Sequence, residues 1–378
     1  MICPKCGKNI LKKDIVEKEE KKKDEKKKKK GKTKEKDEIE NEEEQQKSSE
    51  IVPTSVTLAS KLQGKVKVKE KLQEVKLESE KIELKKGEYI KLLGIISTNR
   101  TPLYCNNEKY VYLLELTNNL DFIATSILGG VLDKMVLVAE AGENEICQWY
   151  TKDKVIYLIY GVFPDKKGKW LLEQIAKHFS DLMIGKNIDN LQKFDKYQFE
   201  TKFNSILKFL LEEYVKMQEI FSDQEIPSVE DKIRIDYFGL SSKSIGVISL
   251  LLGSELKVQV PGAYEDPNEA LEMKESVLTA KIEALAANTV GNTKAMPKWI
   301  AVKLGFQSYR FLTFKRYQND YFLYFLSEGN LGKIVKAEDE IDPYISHVVD
   351  TPFSGNLKSF NRLKTTLKEF FGNKRFFS

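Results

Sequence analysis

The residues best suited to chemistry stand at the start of the chain. Cys3-Pro4-Lys5-Cys6-Gly7 holds two thiols across a tight turn, with Gly7 relieving the backbone after the second sulfur. That is the geometry of a metal-binding knuckle, and the metal it implies is zinc. A structural zinc site takes four ligands, and no second Cys-x-x-Cys follows, so Cys3 and Cys6 make an incomplete metal site. Three readings stay open: a degenerate half-ribbon, a site completed by a second chain, or one completed by Cys105 and Cys147. Both single cysteines sit in apolar or turn contexts, where a buried inert thiol is the commoner outcome.

Other catalytic signatures are missing. A phosphate-cradling loop needs Gly, four residues, Gly-Lys and Ser/Thr. Gly161 to Gly168-Lys169-Trp170 has six residues between the glycines and Trp after the lysine. Gly239-Leu240-Ser241-Ser242-Lys243 is not a nucleophile elbow. Only His178 and His347 could serve histidine acid–base chemistry, and His178 flanks a helical apolar stripe. Glu338-Asp339-Glu340 lies among alternating charges and reads as a solvated helix face. No catalytic residue is assigned, and the expectation is a protein that is not an enzyme.

Composition narrows the class further. The chain has 378 residues, 41% hydrophobic and 10% aromatic, enough for sizeable cores. Its 62 basic and 57 acidic residues give a net charge of +5, too small to imply a nucleic-acid surface overall. Four cysteines make no disulfide framework, and no signal peptide or membrane span is legible. The expected setting is cytoplasmic, with weak peripheral contact to a membrane surface left open. Residues 11–87 form a charged linker, lysine-dominated up to Lys36 and acidic from Asp37 to Glu44. With so few apolar residues in its first part, disorder is expected there.

The elements that would position any site fall into two blocks, 88–222 and 229–349, followed by a helical tail at 350–378. In the first block, strands are expected at Ile90 to Ser97 and from Leu103, with a helix over Leu120 to Met135 capped by Asn118-Asn119. Three strands should follow, at Val136 to Ala141, Glu145 to Tyr150 and Val155 to Val162. A loop over Pro164 to Lys169 leads to a helix through Trp170, Ile175 and Phe179, and a longer helix covers Phe194 to Phe221. In the second block, Val229 to Gly239 is expected to be helical, and Ile245 to Val260 gives two strands. Asp266-Pro267-Asn268-Glu269 has the chemistry of a helix start. Leu271, Leu278, Ile282 and Leu285 form one apolar face of that helix, and Met273, Val277 and Ala284 widen it. Ile300, Val302, Leu304 and Phe306 alternate as a strand. Arg310 to Tyr317 and Tyr321 to Leu326 make a hairpin around Asn319-Asp320. A closing helix spans Asn330 to Asp342, another spans Asn356 to Phe371, and Lys374-Arg375-Phe376-Phe377 is expected to fray.

The second block resembles the roadblock (dynein light-chain-like) domain. The likeness rests on Ile245-Gly246-Val247-Ile248-Ser249-Leu250, on Ala284-Leu285-Ala286-Ala287, and on the meander from Trp299 to Leu326. The first resembles the related longin domain, in Gly94 to Tyr104, Lys154 to Val162 and Leu172 to Met183. Two departures stand out: Pro261 to Asp266 and Gly253 lack the usual glycine-rich hairpin of roadblock domains, and Tyr110 to Leu116 looks more strand-like than its longin counterpart. The resemblance implies an α/β class of α+β layers, with two domains of related topology. Each would be a mostly antiparallel five-stranded sheet packed with helices. It also implies a scaffold that binds Ras-like small GTPases, of a kind that archaea with many small GTPases encode. Such domains pair through a helix and a strand edge, so helix 268–289, with Met273, Val277 and Ala284, is the expected interface. Its partner would be the first domain, a second copy in a homodimer, or another longin or roadblock protein. A competing cover for those residues is the stripe Leu357, Phe360, Leu363 and Leu367 of the tail helix. Nucleic-acid binding by the knuckle and lysine arm, or an enzyme with an unrecognised site, are the competing functions.

Overall fold

The structure, a computed structural model, describes residues 81–85, 87–183, 196–217, 230–242, 245–262 and 264–378. The knuckle cysteines Cys3 and Cys6, nearly all of the charged linker and the boundary at 223–228 lie outside the described residues. The first block runs β1 (Ile82–Lys85), β2 (Glu88–Ser97), β3 (Pro102–Cys105), α1 (Val111–Ser126), β4 (Val131–Val138), β5 (Asn144–Lys152), β6 (Val155–Val162), α2 (Asp165–Leu182) and α3 (Lys196–Lys216). The second runs β7 (Ile233–Ser242), β8 (Ile245–Leu251), α4 (Pro267–Thr293), β9 (Met296–Gly305), β10 (Ser308–Arg316), β11 (Tyr321–Gly329), α5 (Ile334–Val349), α6 (Lys358–Asn373) and β12 (Phe376–Phe377).

All twelve strands belong to one antiparallel sheet, in the order β1-β2-β6-β5-β4-β9-β10-β11-β7-β12, with β3 beside β2 and β8 beside β7. Read outward from the centre, one side is β4, β5, β6, β2, β3 and the other is β9, β10, β11, β7, β8. Within each block the strands therefore follow the same succession. The centre is the β4–β9 ladder, in which Met135 faces Ile300 and Val136 faces Trp299.

Helices cover both faces because the central strands are apolar on both sides; every residue of β6 from Val155 to Gly161 is buried. On one face α1 and α4 pack over a core that runs through both blocks, from Leu92 and Leu158 to Leu285, Ile300 and Tyr324. On the other face the cores are separate. Phe179 of α2 and Phe203 of α3 join the first, and Ile341 of α5 and Leu367 of α6 join the second. Leu256 and Val258, beyond β8, reach into the shared core, and the Lys257 amide donates to the Ile127 carbonyl at 3.2 Å. Among the described residues, no helix is long and apolar enough to cross a membrane.

Several elements differ from expectation. The first helix begins at Val111, not Leu120, because Asn107 caps a short 3-10 turn that feeds straight into it. Tyr110 to Leu116 is thus its entry and not a strand. It ends before Gly129 and Gly130; a side chain at Gly130 would lie 2.5 Å from the Lys303 carbonyl oxygen. Helix α2 starts at Asp165, inside the expected loop. Residues 233–242 are strand and not helix, since Ile233 and Ile235 alternate into one core. The segment after Leu251 forms no second strand in that block. Helix α5 continues through Pro343 to Val349, giving up the rung that proline cannot donate. The aromatic end does not fray: Phe376 and Phe377 pair with Arg234 and Ile233, and Phe377 is buried. Asp266 does cap α4, accepting from the Asn268 amide at 2.8 Å.

Candidate functional site

Helices α1 and α4 lie side by side over the central ladder and leave a groove of about 340 Å³ between them. Their inward faces are set by period. Leu113, Leu116, Leu120 and Ala124 of α1, and Leu278, Ile282, Leu285 and Ala286 of α4, point into the shared core. The next positions round each helix form the groove: Ile123 and Phe122 from α1, Lys281, Ala284 and Asn288 from α4, with Arg100 from the β2–β3 turn. Phe122 is 51% exposed, and the Lys281 ammonium sits 5.3 Å from its ring centroid. A lysine stem can cover apolar surface in this way while its charge stays in water.

The three residues expected to form an interface divide here. Ala284 is exposed and lines the groove. Val277 is half-buried against the shared core, and Met273 is half-buried earlier on the same helix. The apolar stripe of α6 turns away from them, since Phe360, Leu363 and Leu367 enter the core on the opposite face of the sheet, while Leu357 is 47% exposed. An ion pair joins the two helices, Lys364 to Glu275 at 2.8 Å.

Two buried charge clusters lie away from the groove. Glu145 is 1% exposed and accepts from Tyr89 at 3.0 Å and from Tyr160, with Lys91 as its ion partner. Burial, and then Glu145 itself, hold the Tyr160 phenol far above its ordinary value. Asp236, with no exposed surface, meets Arg234 at 2.6 Å, Arg375 at 2.9 Å and Arg310 at 3.6 Å. Glu328 bridges Arg234 and Arg310 at 2.9 and 2.7 Å. Each carboxylate is saturated by fixed partners, so both clusters bind strands together. Neither was marked in the sequence.

Cys147 is fully buried, and burial pushes its thiol well above the usual range; Cys105 is half-buried and bonded to the Asn107 carbonyl at 3.2 Å. Among the described residues, no group of three or more His, Cys, Asp and Glu is placed to hold a metal ion. His178 is half-buried on α2 and His347 is exposed on α5. No protein-family model matches the chain, and no curated protein matches it.

Proposed function

We propose that the chain is a non-enzymatic scaffold that binds Ras-like small GTPases on a platform of longin and roadblock type. The observation that carries this reading is the repeated strand succession. Each block contains the run two strands, a helix, three strands and a helix (β2 to α2, and β7 to α5), and the blocks meet by β4–β9 pairing with α1 beside α4. This arrangement supports the helix-and-edge pairing that the resemblance implies, read here between two parts of one chain. In this reading the first block is longin-like and the second roadblock-like. The partner of helix 268–289 is then the first block, and the surface left for a GTPase is the outer side of the joined platform. The saturated state of Glu145 and Asp236 supports a binding role over a catalytic one. Zinc held at Cys3 and Cys6 belongs to the same proposal.

The test is recovery of small GTPases from the native cell on the immobilised full chain, with lysates loaded with GDP or with a non-hydrolysable GTP analogue. Enrichment that depends on the nucleotide is expected. Nucleotide-independent retention of DNA or RNA would replace this reading with the nucleic-acid one.

A further inference from the structure

We infer that the groove between α1 and α4 is a docking site for an acidic amphipathic helix of a partner protein. The inference rests on the groove alone and holds whether or not the partner is a GTPase. Three observations support it. The floor is apolar, formed by Leu116, Leu120 and Leu285, and the wall residue Ala284 leaves room above them. At about 340 Å³ the groove is at the small end of ligand cavities, roughly 300–1,000 Å³, and suits a few apolar side chains. The rim is one-signed: among the described residues its charged members are Arg100 and Lys281, and no carboxylate lines it.

Among the described residues, Arg100 and Lys281 make no ion pair, whereas Arg234, Arg310 and Arg375 are each matched to carboxylates. Arg100 is exposed at the tip of the β2–β3 turn, at a φ of 68°. An apolar trough beside two cations with no carboxylate partner among the described residues complements a helix whose apolar stripe at i, i+3, i+4 and i+7 is flanked by carboxylates. A nucleic-acid strand fits less well, because two cations over an apolar floor offer little to a phosphate backbone.

The test uses the full chain and two synthetic, fluorescently labelled helices, read by fluorescence polarisation. One carries leucines at that spacing flanked by glutamates; the other has the glutamates replaced by lysines. Labelled oligo-uridine is the third probe. The acidic helix should bind at least about tenfold more tightly than the basic one. The double variant Arg100→Glu, Lys281→Glu should reverse that preference. Ala284→Trp, which fills the groove from an exposed position, should abolish binding of the acidic helix while circular dichroism stays unchanged. Failure of the acidic helix to bind, equal binding of both helices, or binding indifferent to Ala284→Trp would each overturn the inference. So would oligo-uridine displacing the acidic helix from the groove.

Discussion

Asp236 owes its place to a β-bulge. In the β7–β11 ladder Tyr237 faces Leu326 and Ile235 faces Ser327, which leaves Asp236 as the extra residue. Bulges re-aim a side chain, and this one turns the carboxylate toward Arg234, Arg310 and Arg375. Removing one partner of a buried charge cluster leaves the others uncompensated. Asp236→Ala should therefore cost about 3 kcal/mol, the lower end of the range for such losses because Arg234 and Arg375 keep some contact with water, read as a fall in the urea midpoint. Lys91 and Asp133 are also the extra residues of bulges, in the β2–β6 and β4–β9 ladders. Of these three strands only β2 was expected over most of its length, and a bulge breaks the alternation without any residue type announcing it. For that reason Glu145, Asp236 and their partners were invisible in the sequence, while Leu285 in the floor of the groove was read on the apolar face of its helix. Glu283 offers a second test. Burial lifts its carboxyl above the ordinary 4.5, with Ser241 pulling the other way. Between the ordinary and the raised value the folded chain keeps a proton that the unfolded chain releases, so stability falls as pH rises across that interval. Glu283→Gln should flatten this slope in urea titrations from acid to neutral pH, and leave the chain more stable at neutral pH.

Among the elements, α4 was the most legible because its signals are local. An aspartate cap, a proline at the first turn and the buried Leu278, Ile282 and Leu285 at helical steps all lie within or beside its own residues. Strand β7 was the least, since Arg234 and Asp236 supply the polar residues a surface helix would also carry, and their burial depends on partners far along the chain. Helix α1 was displaced for a similar reason: the cap Asn107 lies ahead of its apolar run, and Gly129-Gly130 stops it. The C-terminal pair Phe376-Phe377 shows how a short element is fixed by packing. Phe377 joins the core beneath α5 and α6, and the Ile235 amide donates to the Arg375 carbonyl at 2.9 Å. Phe377→Ala should cost about 3 kcal/mol, in line with other buried aromatic truncations. Hydrogen exchange should show the loss spreading first to the β7 amides of Ile233 and Ile235.

At the scale of the molecule, the joining of the two blocks was beyond what periodicity encodes. Strand β9 could be read but β4 only from Val136 on, since residues 131–135 were expected to be helical, and nothing in residues 131–138 names residues 296–305 as their partner. The ladder and the shared core have an energetic consequence. Met135, Leu137, Ile300 and Ala301 are buried at the seam, and Leu256 and Val258 of the second block pack within the same core. Neither block can unfold without exposing the other's apolar surface. We expect one cooperative denaturant transition, with near- and far-ultraviolet dichroism coincident; two separated transitions would mean that the seam contributes little.

The most direct test of the scaffold reading is a calorimetric titration of the full chain with a small GTPase from the same cell, loaded first with GDP and then with a non-hydrolysable GTP analogue. Saturable binding is expected, with an affinity that differs between the two nucleotide states by about tenfold or more, because only a partner that distinguishes the states can report a switch. Absence of binding in both states, or equal affinity in both, would contradict it.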